Sequence, residues 1–193
     1  MDNDILLKIY QQPSTVLTVD EIALLSPGIA YKSVKERLAY FTKTGRLKRL
    51  RQGIYAKPKY NPLELGNKIY KPAYISLETV LFKGGAIFQT YQTIFLVSYV
   101  TRSIRVDHTD FQYRKIKNPV LTNLSGIEAQ NGYFMATLER AFLDAVYIYR
   151  DYHFDNLGGI NWEKVNSLKG IYQSKAFEKR VGEYYKTYQE EHG

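Results

Sequence analysis

Ten lysines and arginines fall between Tyr31 and Lys59: Lys32, Lys35, Arg37, Lys43, Arg46, Lys48, Arg49, Arg51, Lys57 and Lys59. Glu36 is the one acid among them, so these 29 residues carry +9, against +8 for the whole chain. The other 164 residues carry −1. A cationic cluster of this density does one kind of chemistry well, which is to neutralise a row of phosphates, and it is the electrostatic footprint of a nucleic-acid site.

The groups needed for bond-making chemistry are sparse. His108, His153 and His192 each lack a second His at metal-ligand spacing, and the chain has no Cys, so no metal centre is expected. Asp107-His108-Thr109-Asp110 lacks a nucleophile in a recognisable elbow and is expected to be a polar turn between strands. Glu78, Asp107, Asp110, Glu128, Glu139 and Asp144 are too scattered along the sequence to argue a carboxylate cluster. Lys83-Gly84-Gly85 and Leu157-Gly158-Gly159 lack the full spacing of a phosphate-binding loop. Neither an enzyme nor a cofactor is expected.

The elements that would present the cations can be read from periodicity. Ala30, Val34, Leu38 and Phe41 recur at helical spacing and form one stripe over residues 30–44, with Gly45 placed to end the helix. Residues 46–51 and 54–57 then read as two short strands about a Gln52-Gly53 turn. A helix followed at once by a basic hairpin is the pattern of a winged helix. In that arrangement the helix enters the major groove and the hairpin touches phosphates or the minor groove. Lys32, Ser33, Lys35, Glu36 and Tyr40 are expected to face base edges, with Lys43 added to the DNA-facing set. Arg46, Lys48, Arg49 and Arg51 are expected on phosphates, with Leu47 and Leu50 packed beneath the hairpin.

Upstream, Ile5, Leu6, Ile9 and Tyr10 are at helical spacing and Pro13 ends that helix. Thr18 with Glu21 three residues on is a capping box for a second helix. Three helices and a hairpin thus fill residues 1–60, with an apolar set of Ile5, Leu6, Ile9, Ile22, Leu25, Val34, Leu38, Phe41, Leu47 and Ile54. Prolines, Asn61, Gly66 and Asn67 mark residues 61–72 as a connector.

Residues 73–193 are expected to form a mixed α/β domain. Ser76 is placed to cap a short helix ending at Gly84-Gly85. Residues 93–101, 103–106 and 111–116 are rich in β-branched and aromatic residues, with turns at Arg102 and at His108-Thr109-Asp110. Residues 127–129 and 132–135 read as edge strands. Thr137 caps a strong helix in which Arg140 and Asp144 are four apart and can pair. Helices at 161–168 and from Ser174 to about 190 follow, the last with a tyrosine-rich stripe expected to pack as core. The fold class is therefore α+β: an N-terminal winged helix-turn-helix followed by a mixed α/β C-terminal domain. The acidic, amphipathic start is unlike a signal peptide and no apolar run reaches a membrane span. The expected setting is a cytoplasmic one, with no membrane partner.

Three stretches in order resemble the AbiEi family of antitoxins, from type IV (abortive infection) toxin–antitoxin systems. They are the helix and hairpin closing in Gly45-Arg46-Leu47-Lys48-Arg49-Leu50-Arg51-Gln52-Gly53-Ile54-Tyr55-Ala56, the segment Tyr74-Ile75-Ser76-Leu77-Glu78-Thr79-Val80-Leu81, and Ala136-Thr137-Leu138-Glu139-Arg140-Ala141-Phe142-Leu143-Asp144. Leu138 stands where the family often has a proline. The resemblance implies a winged helix that binds double-stranded operator DNA of its own operon. It also implies a C-terminal domain that counteracts a nucleotidyltransferase-like toxin encoded nearby. The residues themselves leave a second possibility open, a plain winged-helix transcription factor whose C-terminal domain binds a ligand or dimerises.

Overall fold

The computed structural model of the chain describes residues 2–192 and has a mixed α+β architecture with two sheets. The first part opens with α1 (Asp2–Gln11), β1 (Val16–Thr18), α2 (Val19–Leu24) and α3 (Tyr31–Lys43). It closes with a hairpin of β2 (Lys48–Arg51) and β3 (Ile54–Ala56). Thr18 caps α2 as its sequence predicts: its hydroxyl accepts from the Glu21 N–H at 3.2 Å, and the Glu21 carboxylate accepts from the Thr18 N–H at 2.7 Å. Pro13 follows the end of α1, and Gly45, at φ +70, lets the chain turn out of α3.

Strand β1 was not foreseen. It pairs antiparallel with β3 and makes a small sheet in the order β1-β3-β2. Strand β3 and most of β1 are buried on both faces, while β2 is largely exposed. Leu17 and Tyr55 face a small core with Ile5, Ile9, Ile22, Val34, Leu38, Phe41 and Leu47. Val16, Ile54 and Ala56, pointing the other way, belong to the core of the second part. The expected apolar set therefore divides. Ile54 faces away from α3, and Leu50 packs against the larger core while Leu47 packs beneath α3.

The expected connector, residues 61–72, is not an open link. It contains α4 (Pro62–Ile69), started by the Asn61 side chain accepting from the Leu63 N–H at 3.0 Å, with proline in the first turn. Glu64 of α4 is buried and accepts from the Thr15 N–H (2.6 Å), the Thr15 hydroxyl (3.0 Å) and the Val16 N–H (2.9 Å). Gly66 lets α4 approach the second sheet closely, since a Cβ there would sit 3.1 Å from Leu96 and Phe111. The Tyr113 hydroxyl donates to the Gly66 carbonyl at 2.7 Å.

The second sheet contains β4 (Ala73–Ile75), β5 (Ile94–Ser98), β6 (Arg102–Val106), β7 (Thr109–Lys115), β8 (Ile127–Gln130) and β9 (Tyr133–Ala136). Their order is β6-β7-β5-β4-β9-β8, with β4–β9 and β5–β7 parallel and the other pairs antiparallel. Two expected turns shift. Arg102 opens β6, and Thr109 and Asp110 open β7, leaving Asp107-His108 as a two-residue hairpin turn with Asp107 at φ 54.

Ser76 does not cap α5 (Glu78–Lys83); the N-cap position is Leu77 and no side chain bonds there. The Ser76 hydroxyl instead donates at 2.8 Å to Asp144 of α7 (Leu138–Tyr149). Around Asp144 lies a closed polar network. Tyr74 and Tyr172 donate to it at 3.0 and 2.7 Å, and the Arg140 Nε at 3.4 Å. Arg140 also donates to the carbonyls of Val120 (2.7 Å) and Ser125 (2.8 Å) and to the Tyr74 hydroxyl. Both charged residues are fully buried. Burial disfavours the guanidinium's charge, but Asp144 and the two tyrosines more than offset this and hold it protonated. The network joins β4, α7, the short helix α6 (Asn118–Leu121) and a 3₁₀ turn at Lys169–Tyr172.

Helices α8 (Trp162–Leu168) and α9 (Lys175–His192) cover α7. Phe142 meets Phe154, Trp162 and Tyr184 at ring distances of 4.8, 5.6 and 5.7 Å, so Tyr184 of α9 packs inward, while Tyr185 of the same stripe stays exposed against Trp162. Among the described residues, no helix is long and apolar enough to cross a membrane.

Candidate nucleic-acid interface

Helix α3 buries Val34, Leu38 and Phe41 against the small core. At 100° per residue the opposite side carries Lys32, Glu36, Ala39, Tyr40 and Lys43, with Ser33 beside them. Lys32, Glu36, Ala39, Tyr40 and Lys43 are all exposed, and Tyr40 is 50% exposed. Among the described residues, Lys32, Glu36 and Lys43 have no ion-pair partner. Lys35 lies on the flank, its Nζ 4.5 Å from the centre of the Tyr31 ring. The Tyr31 hydroxyl donates to Asp20 at 2.8 Å, fixing the start of α3 to the first turn of α2. That hydrogen bond raises the pKa of the Tyr31 hydroxyl, with smaller contributions from burial and the Asp20 charge.

The turn from α3 into the hairpin is held by three hydrogen bonds. The Arg46 and Leu47 N–H groups both donate to the Phe41 carbonyl, at 2.9 and 3.1 Å, and the Tyr10 hydroxyl donates to the Arg46 carbonyl at 2.8 Å. The hairpin cations then split by side. Arg49 is opposite Tyr55, so it projects on the α3 side of the sheet. Lys48 is opposite Ala56 and, past a bulge, Arg51 is opposite Ile54; both project toward the second part.

There they have partners. Lys48 Nζ is 3.6 Å from the Asp107 carboxylate and 5.6 Å from the Tyr60 ring centre. The Tyr60 hydroxyl donates to the same carboxylate at 2.9 Å. That hydrogen bond leads the groups that lower the Asp107 pKa. Burial, followed by the same hydrogen bond, pushes the Tyr60 hydroxyl up to about 12. Arg51 lies over the Tyr70 ring at 5.7 Å. Burial raises the Tyr70 pKa, and Arg102 and Arg51 beside it more than reverse this. Lys57 is also occupied, donating to the Gln12 carbonyl at 2.6 Å.

Of the ten residues expected to meet DNA, the structure brings Lys32, Ser33, Glu36, Tyr40 and Lys43 onto one side of α3. Arg49 is exposed on the hairpin face that carries Tyr55, Arg46 is exposed in the turn before the hairpin, Lys35 lies on the flank, and Lys48 and Arg51 are engaged elsewhere. The outward set can donate to guanine O6 and N7 through lysine and accept from cytosine N4 through Glu36. The hairpin arginines suit phosphate.

Sequence reading missed a second charged group that positions this face. Glu21, in the first turn of α2, lies 2.7 Å from the Nζ of Lys68 and 3.4 Å from that of Lys71. Burial raises the Glu21 pKa, but Lys68, the Thr18 N–H and Lys71 together leave it lowered. The signal available was Asn61-Pro62, a helix start that would have placed Lys68 in the last turn of α4.

The other titratable stretches form no centre. Asp107 holds the hairpin, His108 is exposed 3.5 Å from Asp107, His153 is exposed 3.6 Å from Asp155, and the His192 side chain lies outside the described residues. Among the described residues, no group of three His, Cys, Asp or Glu is placed to hold a metal ion. Neither a scan of protein-family models nor a search of curated proteins returns a match to this chain.

Proposed function

We propose that this chain is a DNA-binding autoregulator and antitoxin of the type IV class, reading its own operator through α3 and counteracting a nucleotidyltransferase-like toxin encoded nearby. The outward face of α3 carries the proposal. A helix with one side locked in a core and the other presenting Lys32, Ser33, Glu36, Tyr40 and Lys43 suits insertion into a major groove about 12 Å wide. The order helix, strand, helix, helix, hairpin is that of a winged helix-turn-helix, here with a short hairpin whose tip ends at Gly53. Arg46 and Arg49 then serve as the phosphate contacts.

The antitoxin half rests on the resemblance to the AbiEi family. It is supported by how two of its motif stretches meet. Tyr74 and Ser76 from one, and Arg140 and Asp144 from the other, share a single buried network. That gives both motifs one structural purpose, to hold the second part together. No catalytic step is assigned to the chain.

The test has two arms. The chain is titrated against duplex from immediately upstream of its own gene and against unrelated duplex of equal length, at two salt concentrations. Preferential, salt-sensitive binding supports the DNA half; equal weak binding to both duplexes reduces α3 to non-specific attraction. The neighbouring gene is expressed with and without this chain. Growth arrest relieved by the chain supports the antitoxin half, and arrest that persists overturns it.

A further inference from the structure

A cleft of about 700 Å³ lies where the first part meets the second. Ser14 and Glu21 reach it from the first part, and α4, the start of β4, the segment after α6, and β8–β9 enclose it from the second. Its volume is that of a small-molecule site. Most of its polar groups are already committed. Asn67 bonds the backbone of Phe134 and the Leu63 carbonyl, and the Tyr74 hydroxyl belongs to the Asp144 network.

The charged lining is unequal. Glu21 is its single acid and faces two ammonium groups. Lys68 is almost enclosed, at 8% exposure, with both carboxylate oxygens 2.7 Å from its Nζ. Lys71 is 53% exposed and sits 3.4 Å from the same carboxylate, so its charge is only partly matched. Lining the same cleft, Leu124 and Phe134 are 67% and 47% exposed, and Ile127 and Tyr133 line it half-buried. Single exposed apolar residues are ordinary. Two that flank one open cleft, together with a half-matched ammonium, make a site with an apolar wall and a cationic end.

We infer that this cleft binds a small organic carboxylate with an apolar body, its carboxylate on Lys71 and its body against Leu124 and Phe134. A polar or cationic ligand would leave the apolar wall uncovered or add to the surplus positive charge.

The experiment is calorimetric titration of the full chain with 2-naphthylacetate and with its neutral isostere 2-naphthylacetamide. One carboxylate binds per chain, and the amide binds about tenfold more weakly because it loses the charge-assisted hydrogen bond. Lys71→Gln abolishes the preference for the carboxylate, and Leu124→Ser weakens both compounds alike. Lys175→Gln, which removes an exposed charge on α9, leaves both affinities unchanged. Both cleft variants are at exposed positions, and unaltered thermal melts verify that they fold. Absence of saturable binding, equal affinity for acid and amide, or an equal loss in Lys175→Gln overturns the inference. No DNA is used, so this result stands apart from the proposed reading of α3.

Discussion

The Lys68 ammonium lies 2.7 Å from both carboxylate oxygens of Glu21, and one of those oxygens also accepts the Thr18 N–H that begins α2. A single carboxylate therefore caps a helix of the first part and anchors it to α4. The geometry of α3 follows, because Tyr31 is tied to Asp20 in the same first turn.

Glu21→Gln keeps a side chain that can complete the capping box but leaves the enclosed Lys68 without its counter-charge, and is expected to destabilise the fold by about 1–2 kcal/mol. The pH dependence follows in sign. Glu21 has a lowered pKa in the folded chain, so its contribution is present above the ordinary glutamate value of 4.5. That contribution is lost as pH falls from there through the lowered value. Urea melts between pH 6 and 3 should show a steeper acid loss in the wild type than in Glu21→Gln. Parallel curves would show that the carboxylate contributes nothing by its charge.

The buried pair on α7 should be far more sensitive. Asp144→Asn leaves Arg140 charged in a site closed to water, an imbalance that costs about 3–5 kcal/mol. Tyr172→Phe removes one hydrogen bond and should cost about 1–1.5 kcal/mol. Thermal melts of the two variants give the order directly. Equal, small losses would mean that water reaches Arg140 in solution.

How much of this was legible in the sequence depended on how local the cause was. The capping box at Thr18, the Val34, Leu38 and Phe41 stripe of α3, the Gln52-Gly53 turn and the i,i+4 pair of Arg140 and Asp144 are all short-range patterns found where their spacing put them; Ala30, expected in the same stripe, is instead exposed at the N-cap of α3. The misreadings have long-range causes. Ser76 looks like a cap but answers to Asp144, 68 residues away. Val16–Thr18 is too short to show a period of its own and becomes a strand because β3 lies beside it. The prolines of residues 58–72 suggested a link, yet Pro62 serves as the first residue of α4. For the interface, periodicity separated the outer face of α3 from the inner one. It gave no sign that Lys48 would be drawn to Asp107, because that contact spans 59 positions and depends on the hairpin's second face being buried.

The Lys48–Asp107–Tyr60 contact allows a direct check of how the hairpin is seated. Lys48 and Asp107 are both partly exposed, so a double-mutant cycle with alanine at each should give a coupling of no more than about 1 kcal/mol. The Tyr60 hydroxyl, pushed up to about 12, supplies a second signal. A raised tyrosine pKa contributes stability below the ordinary value of 10.0 that is lost as pH rises toward 12. The ultraviolet titration difference between wild type and Tyr60→Phe should therefore centre near pH 12, and Asp107→Ala should move it down. A midpoint unmoved by Asp107→Ala would mean that the two groups do not meet in solution.

The division of the hairpin cations makes the sharpest prediction about DNA. Phosphate contacts set the salt dependence of binding, and each one removed lowers the slope of log affinity against log salt by about one unit. Arg49→Ala, on the α3 side, should lower the slope by that amount. Lys48→Ala and Arg51→Ala should leave it nearly unchanged, because their charges are turned to Asp107 and Tyr70. On α3, Glu36→Ala should behave differently again, costing about 1–3 kcal/mol at one base step with the slope unchanged, since it accepts from a base and touches no phosphate. Fluorescence anisotropy on upstream duplex at four or more salt concentrations measures all four variants on one plot. If Lys48→Ala and Arg51→Ala reduce the slope as much as Arg49→Ala, the hairpin must release its hold on the second part when DNA binds. If none of the four changes either slope or affinity, α3 and its hairpin do not read DNA.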